Sequence, residues 1–396
     1  MKNKNHMAVA IVLLAVLLCA PAALADEVSA IWARLYSRTT GYEDRIMIMK
    51  GLVEIDDTSI VPFLGSSLQA LNEARENDMS VTETMQHIEL TKMIVRRLGE
   101  LKAAEYADII FDVFKTSDDT YLRAESAVAL GRTVNPEYSD DIAVFLRNLN
   151  LNIGLEGGDK DSEVLALAAV LALERFRQPV GFTPLFFASI GWYSKLSTVR
   201  VQATRVLDSL VDDPTEILRD LLTLEGVLLV KLEALEAEAR SNAPSAGKAS
   251  IAAEAIRQGL INEPTVATDR STLSIMRQRG MEVLIENGPS DPWVIEYLEE
   301  IMNRNFDINE QLTAIEALKS NGGEEAVLAL IRFLKKQNER QLAGLTPADY
   351  RIVRSTIQTL GDIGNNLAFE ELATVKISNW PGSIVRDADA ALKKLY

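Results

Sequence analysis

Apolar residues recur along this chain at three- and four-residue spacing, and clusters of turn residues interrupt them at regular distances. AEYADIIFDVF (104–114), DIAVFLRNL (141–149), WVIEYLEEIM (293–302) and EAVLALIRFL (325–334) each place large apolar side chains on one face of a helix. Between such stretches stand TVNPEYSDD (133–141), LVDDPTE (210–216), NGPSDPW (287–293) and SNGGEE (320–325). Proline near the first helical position, with Asp or Ser just before it, is a helix-start signal. No alternating apolar run is long enough to mark a strand, so the pattern predicts an all-α chain.

A second pattern alternates with the first. Arg45 precedes Leu52 by seven residues, and Arg123 and Leu130, Arg200 and Leu207, and Arg277 and Leu284 keep that spacing. Gln311 and Leu318 keep it without the charge, while Arg354 to Leu360 and Arg386 to Leu392 shorten it by one. Segments around Leu98 and Leu173 fit the apolar pattern without a matching arginine. The leucines return with a period of roughly 40 residues, the period of stacked helical hairpins. A gap of twice that size between Leu207 and Leu284 hides one further unit, which we place at ASIAAEAIRQGLI, 249–261. About ten hairpins result.

The stretch from Asp119 through Arg123, Ser126, Ala127, Ala129, Leu130 and Gly131 resembles the D-x-x-V-R-x-x-A-x-x-A-L-G signature of HEAT repeats. It is most similar to the short variety named after phycobilisome lyases. Arg200 with Ala203 and Leu207 matches without the aspartate, and Asp307 with Ala314, Ala317 and Leu318 matches without the arginine. The resemblance runs from about residue 42 to the end of the chain and implies a right-handed α-α superhelix of the armadillo type. It also implies that the arginine and the aspartate before it link neighbouring turns in a polar ladder. Small residues at Ser126, Ala127 and Ala129 let the next pair approach closely, because interaxial distance follows contact side-chain size.

The beginning of the chain departs from this pattern. Lys2 and Lys4 precede an uninterrupted apolar run from Met7 to Cys19, and Ala23-Leu24-Ala25 ends the stretch in a small-x-small cleavage site. We read residues 1–25 as a secretory signal peptide, with Asp26 opening the mature chain. The run is too short to span a bilayer, so the mature protein is expected not to be integral to a membrane. Export to the periplasm or the extracellular space follows.

Composition then removes several kinds of chemistry. The full chain of 396 residues carries a formal charge of −16; without Lys2 and Lys4, 39 basic residues face 57 acidic ones, a net charge of −18. The only cysteine, Cys19, and one of the two histidines leave with the signal. His87 is then the sole histidine, so Cys/His zinc sites are impossible and a histidine-based triad has one candidate. Nucleic-acid binding is disfavoured, because phosphate neutralisation needs clustered Lys and Arg.

Three stretches invite a functional reading. Asp159, Asp161 and Glu163 alternate in GGDKDSE (157–163) but lack the glycine and distant glutamate of an EF-hand, so a helix start is the better reading. Phe182, Phe186, Phe187, Trp192 and Tyr193 make 181–197 the most aromatic stretch, read as packing between units before a binding platform. The carboxylate pairs Asp118-Asp119 and Glu324-Glu325 stand at helix starts, where they complement the helix dipole. No catalytic residue, cofactor site or metal site is assigned.

The expected organisation is repeats over 26–240, a loop or linker at SNAPSAGKAS (241–250), and repeats over 251–396. DEVSAIWARLY (26–36) is expected to cap the array with Ile31, Trp32 and Leu35 turned inward. The functional expectation is an exported, non-enzymatic scaffold or adaptor that binds a protein or peptide along the Arg-Leu helices. An acidic surface there would favour a basic partner. The alternative is a ligand-binding or lyase-like protein of the phycobilin-lyase type, which needs a deep apolar pocket.

Overall fold

A computed structural model describes residues 30–395, apart from 56, 75–78, 152–159, 192, 194–196, 289–291 and 305. The apolar run at Met7–Cys19 and Ala23-Leu24-Ala25, the stretch read as a cleavage site, lie outside the described residues. Among those described there is no strand, and the chain is an all-α solenoid of paired helices.

The chain divides into two compact units at Val211/Asp212. In the first, α1 spans 30–38, α2 Tyr42–Val53, α3 Val61–Asn72, α4 Val81–Glu100 and α5 Ala107–Thr116. It continues with α6 (Thr120–Thr133), α7 (Ser139–Leu151), α8 (Lys160–Phe176), α9 (Phe182–Ile190) and α10 (Thr198–Leu210). The second unit begins with α11 (Thr215–Leu224), α12 (Leu228–Arg240), α13 (Ser245–Ile261), α14 (Ala267–Asn287) and α15 (Val294–Asn303). It ends with α16 (Ile308–Asn321), α17 (Glu324–Leu342), α18 (Tyr350–Ile363), α19 (Phe369–Val375) and α20 (Gly382–Lys394). Within each unit the even-numbered helices pack side by side in one row and the odd-numbered helices in the other. Such pairs, stacked on neighbours alone, match a HEAT-like arrangement in its coarse features.

Small residues set the spacing of the even row, as their pattern predicts. A Cβ added to Gly99 of α4 would lie 2.7 Å from the Ala129 Cα of α6. One added to Gly131 of α6 would lie 2.6 Å from the Ala172 Cα of α8, and Gly361 of α18 meets Ala391 of α20 at 2.7 Å. Backbones touch where the leucine-glycine step of the repeat is kept. Leu98, Leu130 and Leu360, each fully buried one residue earlier, fill the core beneath.

The repeated arginine has a task besides the expected ladder. Arg123 Nε donates to the Phe114 carbonyl at 3.1 Å, and Arg200 Nε to the Ser189 carbonyl at 2.8 Å. Gln311 Nε2 reaches Met302 O at 2.9 Å, and Arg277 reaches Gly259 O at 2.7 Å. Each long side chain thus satisfies a carbonyl at or near the end of the preceding odd helix, where four such groups lack intrahelical partners. Asp119 does not pair with the arginine; its Oδ1 caps its own helix by accepting the Leu122 N–H at 2.7 Å. Links between neighbouring pairs do exist, but not to the aspartate before the arginine: Arg277 reaches Glu310 at 2.7 Å and Arg354 reaches Asp387 at 2.6 Å, while Lys319 and Lys394 both reach Asp362 at 2.6 Å.

Three placements differ from the sequence reading. The hidden hairpin is α11–α12, and 249–261 belongs to α13, an odd-row helix. Residues 245–250 are the first turns of α13 and not a linker, with Ala249 fully buried. In α1, Ile31 and Leu35 are exposed; Tyr36 is the buried residue, and its ring meets Phe63 edge-on at 5.2 Å. Trp32 does turn inward, against Gly51 of α2.

Candidate functional site

The even row of the first unit carries a groove of about 520 Å³ across α4, α6 and α8. Its walls are Tyr121, Val128, Val164, Leu167 and Leu171, and its floor includes Ala124 and Ala168. The close contacts at Gly99 and Gly131 create this geometry: drawing the three backbones together leaves small residues at the bottom and larger ones standing at the edges. Tyr121 is 60% exposed and is the largest side chain on this face without a core role.

Charges rim the groove in pairs. Arg96 lies 2.7 Å from Glu125, and this bond holds the guanidinium above its usual range. Arg132 sits 3.9 Å from Glu125 and 4.0 Å from Glu100, and Lys92 lies 2.6 Å from Glu89. The surface here is mixed, not acidic as expected, because each added carboxylate faces a cation across or along the helix row.

The sequence-derived candidates are dispersed. His87 is buried, with Nδ1 3.2 Å from the Tyr42 hydroxyl, a satisfied core histidine. Asp119 caps α6, Asp118 stands exposed before it, and Glu324 and Glu325 occupy the first turn of α17. Asp161 and Glu163 lie in the first turn of α8, while Asp159 falls outside the described residues. No cluster of three or more metal-ligating side chains occurs among the described residues. Phe182, Phe186 and Tyr193 are buried and Phe187 half-buried; Trp192 is outside the described residues. The Tyr193 hydroxyl donates to Asn150 Oδ1 at 2.9 Å, anchoring α7, and burial pushes its pKa up.

Sequence reasoning misses the groove, although a signal exists. EVLALAAVLAL around α8 is apolar on every face, and a helix that is apolar all round has more than a core to cover. It misses a buried ion pair as well. Arg277 of α14 contacts Glu310 of α16 through Nε at 2.7 Å, with both side chains buried, and stacks 4.1 Å from the Phe306 ring.

No family model and no curated protein matches the chain. Among solved structures it is similar to a crystal structure of an engineered protein, with 16% identity and a TM-score of 0.34 over 92% of this chain and 98% of that one. It is also similar to human deoxyhypusine hydroxylase in complex with glycerol, with 13% identity and a TM-score of 0.26 over 95% and 98%. The expectation of a chain without catalysis is corrected here: an enzyme stands among these neighbours, so a helical-repeat fold does not exclude an activity. A likeness of this size assigns none to this chain.

Proposed function

We propose that this chain is an exported HEAT-like adaptor that binds a protein or peptide partner in the groove of its first unit. The observation that carries the reading is the apolar strip of exposed Tyr121 with half-buried Val128, Val164, Leu167 and Leu171, which lines a groove on a helix row whose opposite side is already packed. One exposed aromatic and four half-buried aliphatic side chains around a small-residue floor suit an anchor residue entering from outside. The paired rim charges assign the recognition to apolar contacts. The net charge of the mature chain steers a basic partner at long range only. The signal-like residues 1–25 support export. Against the ligand-binding alternative, Phe182, Phe186 and Tyr193 are committed to the core.

A photo-crosslinking residue at Leu167, compared with one at exposed Val144 of α7, tests the site in the intact cell envelope. The expected result is one recurring partner from Leu167 and none from Val144. Tyr121→Ala should weaken its binding at least tenfold, about 1.4 kcal/mol or more, without altering the circular dichroism spectrum. Equal capture from both positions removes the groove reading. A mature protein whose N-terminus is not near Asp26 removes the export reading.

A further inference from the structure

Helix α12 keeps the repeat's seven-residue step with altered chemistry: Lys231 takes the arginine position and Glu238 the leucine position. Lys231 performs the arginine's task, donating to the Leu222 carbonyl at 2.5 Å and to Gln258 Oε1 at 3.0 Å. Glu238 has no counterpart among the leucines. Its side chain is fully buried, one carboxyl oxygen lies 2.7 Å from Thr215 Oγ1, and the other has no hydrogen-bond partner.

Proton counting decides its state. Thr215 Oγ1 also lies 2.6 Å from Asp213 Oδ1, and that carboxylate accepts the Thr215 N–H at 3.1 Å. A hydroxyl has one hydrogen and cannot donate to two carboxylates, so one of the acids carries a proton. Asp213 is exposed, and its two bonds from Thr215 hold it below the usual carboxylate range. Glu238 is in the core, where burial raises its pKa and an ionised oxygen without a partner is costly. The hydrogen bond with Thr215 offsets this in part, Asp213 raises it again, and Lys248 of α13 and Arg219 of α11 lower it. Lys248 is turned to the Ala239 carbonyl at 3.2 Å, and Arg219 to Glu216 at 2.5 Å. On α14, Arg279 is paired with Glu236 at 3.1 Å.

We propose that Glu238 is a proton-sensitive pin for the α11–α12–α13 junction. Protonated, it donates to Thr215, whose hydroxyl donates to Asp213, closing a chain across the start of α11 and the end of α12. Gly247 of α13 seals this chain: a Cβ there would lie 2.4 Å from Thr215 Oγ1 and 3.4 Å from Glu238 Oε1. Loss of the proton sets two carboxylates on one hydroxyl and loosens the junction. Because the folded-state pKa is raised, the stabilisation is full below the ordinary value of 4.5 and is lost as pH rises through the folded value.

Hydrogen exchange of the full chain below and above the titration midpoint of the Glu238 carboxyl, corrected for intrinsic rates, tests the pin. Peptides from α11 to α13 should lose protection at the higher pH, at least tenfold relative to α16–α18. Glu238→Gln and Glu238→Leu should both abolish that difference. A second measurement does not depend on how the variants fold: the carbon-13 carboxyl resonance of Glu238 in the unaltered chain should titrate above 4.5. Equal pH sensitivity in wild type and both variants, or a carboxyl that titrates at or below 4.5, overturns the proposal.

Discussion

Gly131→Ala is the sharpest test of how the even row is built. In a helix, alanine is more favourable than glycine by up to about 1 kcal/mol, and residue 131 lies near the end of α6, where the gain is smaller. Against this stands contact. The added Cβ would meet Ala172 Cα at 2.6 Å and both Ala172 Cβ and Ala172 O at 3.2 Å. These are backbone atoms and a short side chain on a packed helix, so no rotamer change relieves the overlap; α6 and α8 must separate. Overpacking of this kind costs about 1–3 kcal/mol, and a backbone obstacle places it in the upper part of that range. The net expectation is a loss of about 1–2 kcal/mol. Gly382→Ala is the control, since a Cβ there meets only the Arg386 guanidinium at 3.9 Å; it should be neutral or slightly stabilising. Urea unfolding followed by circular dichroism gives the total change. Hydrogen exchange locates it, because in a repeat array the damage should stay at the α6–α8 interface and its neighbours. A Gly131→Ala protein as stable as wild type would refute the close-contact account. It would also leave the groove without its physical cause.

Arg277→Met strands Glu310 in the core and should cost about 3–5 kcal/mol, while Arg277→Met with Glu310→Leu should recover most of it. A double-mutant cycle reads the difference, and additivity of the two single losses would count against the pair. Asp362 is held below the usual carboxylate range by its bonds from Lys319 and Lys394. Its contribution is therefore present above the ordinary 3.8 and lost as pH falls through the lower folded value. Acid titration followed by exchange in α20 should show a step that Asp362→Asn lacks; an unchanged titration in the variant would show that the bridge is idle.

Much of the architecture is legible in the sequence because a repeat states its rules many times over. Three- and four-residue spacing marks the helices, and the leucine-glycine step with its alanines marks their close approach. Where a repeat breaks its own rules, the sequence misleads. With Lys231 and Glu238 in place of arginine and leucine, α12 no longer resembles its row, and the alanine-rich 249–261 fits the row's pattern better. SNAPSAGKAS looks like a linker by composition, yet Ser245 to Ser250 are helical because α13 buries Ala249 and needs Gly247 for its approach to Thr215. Ile31 and Leu35 have the spacing of a core face, but Trp32 and Tyr36 are the larger rings and take the contact with α2 and α3.

The candidate site divides in the same way. The sequence by itself determined that helices would pair and stack, that cysteine chemistry would be absent from the chain after residue 25, and that His87 would stand alone. Local spacing and composition suffice for such statements. Only the tertiary structure decided which side chains distant in sequence meet: Arg277 with Glu310, Asp362 with two lysines, and Glu238 with Thr215. It also decided that the rim of the groove is electrically paired although the chain is acidic as a whole. Net charge is a sum over the sequence, whereas the field at a surface depends on which charges the fold sets side by side.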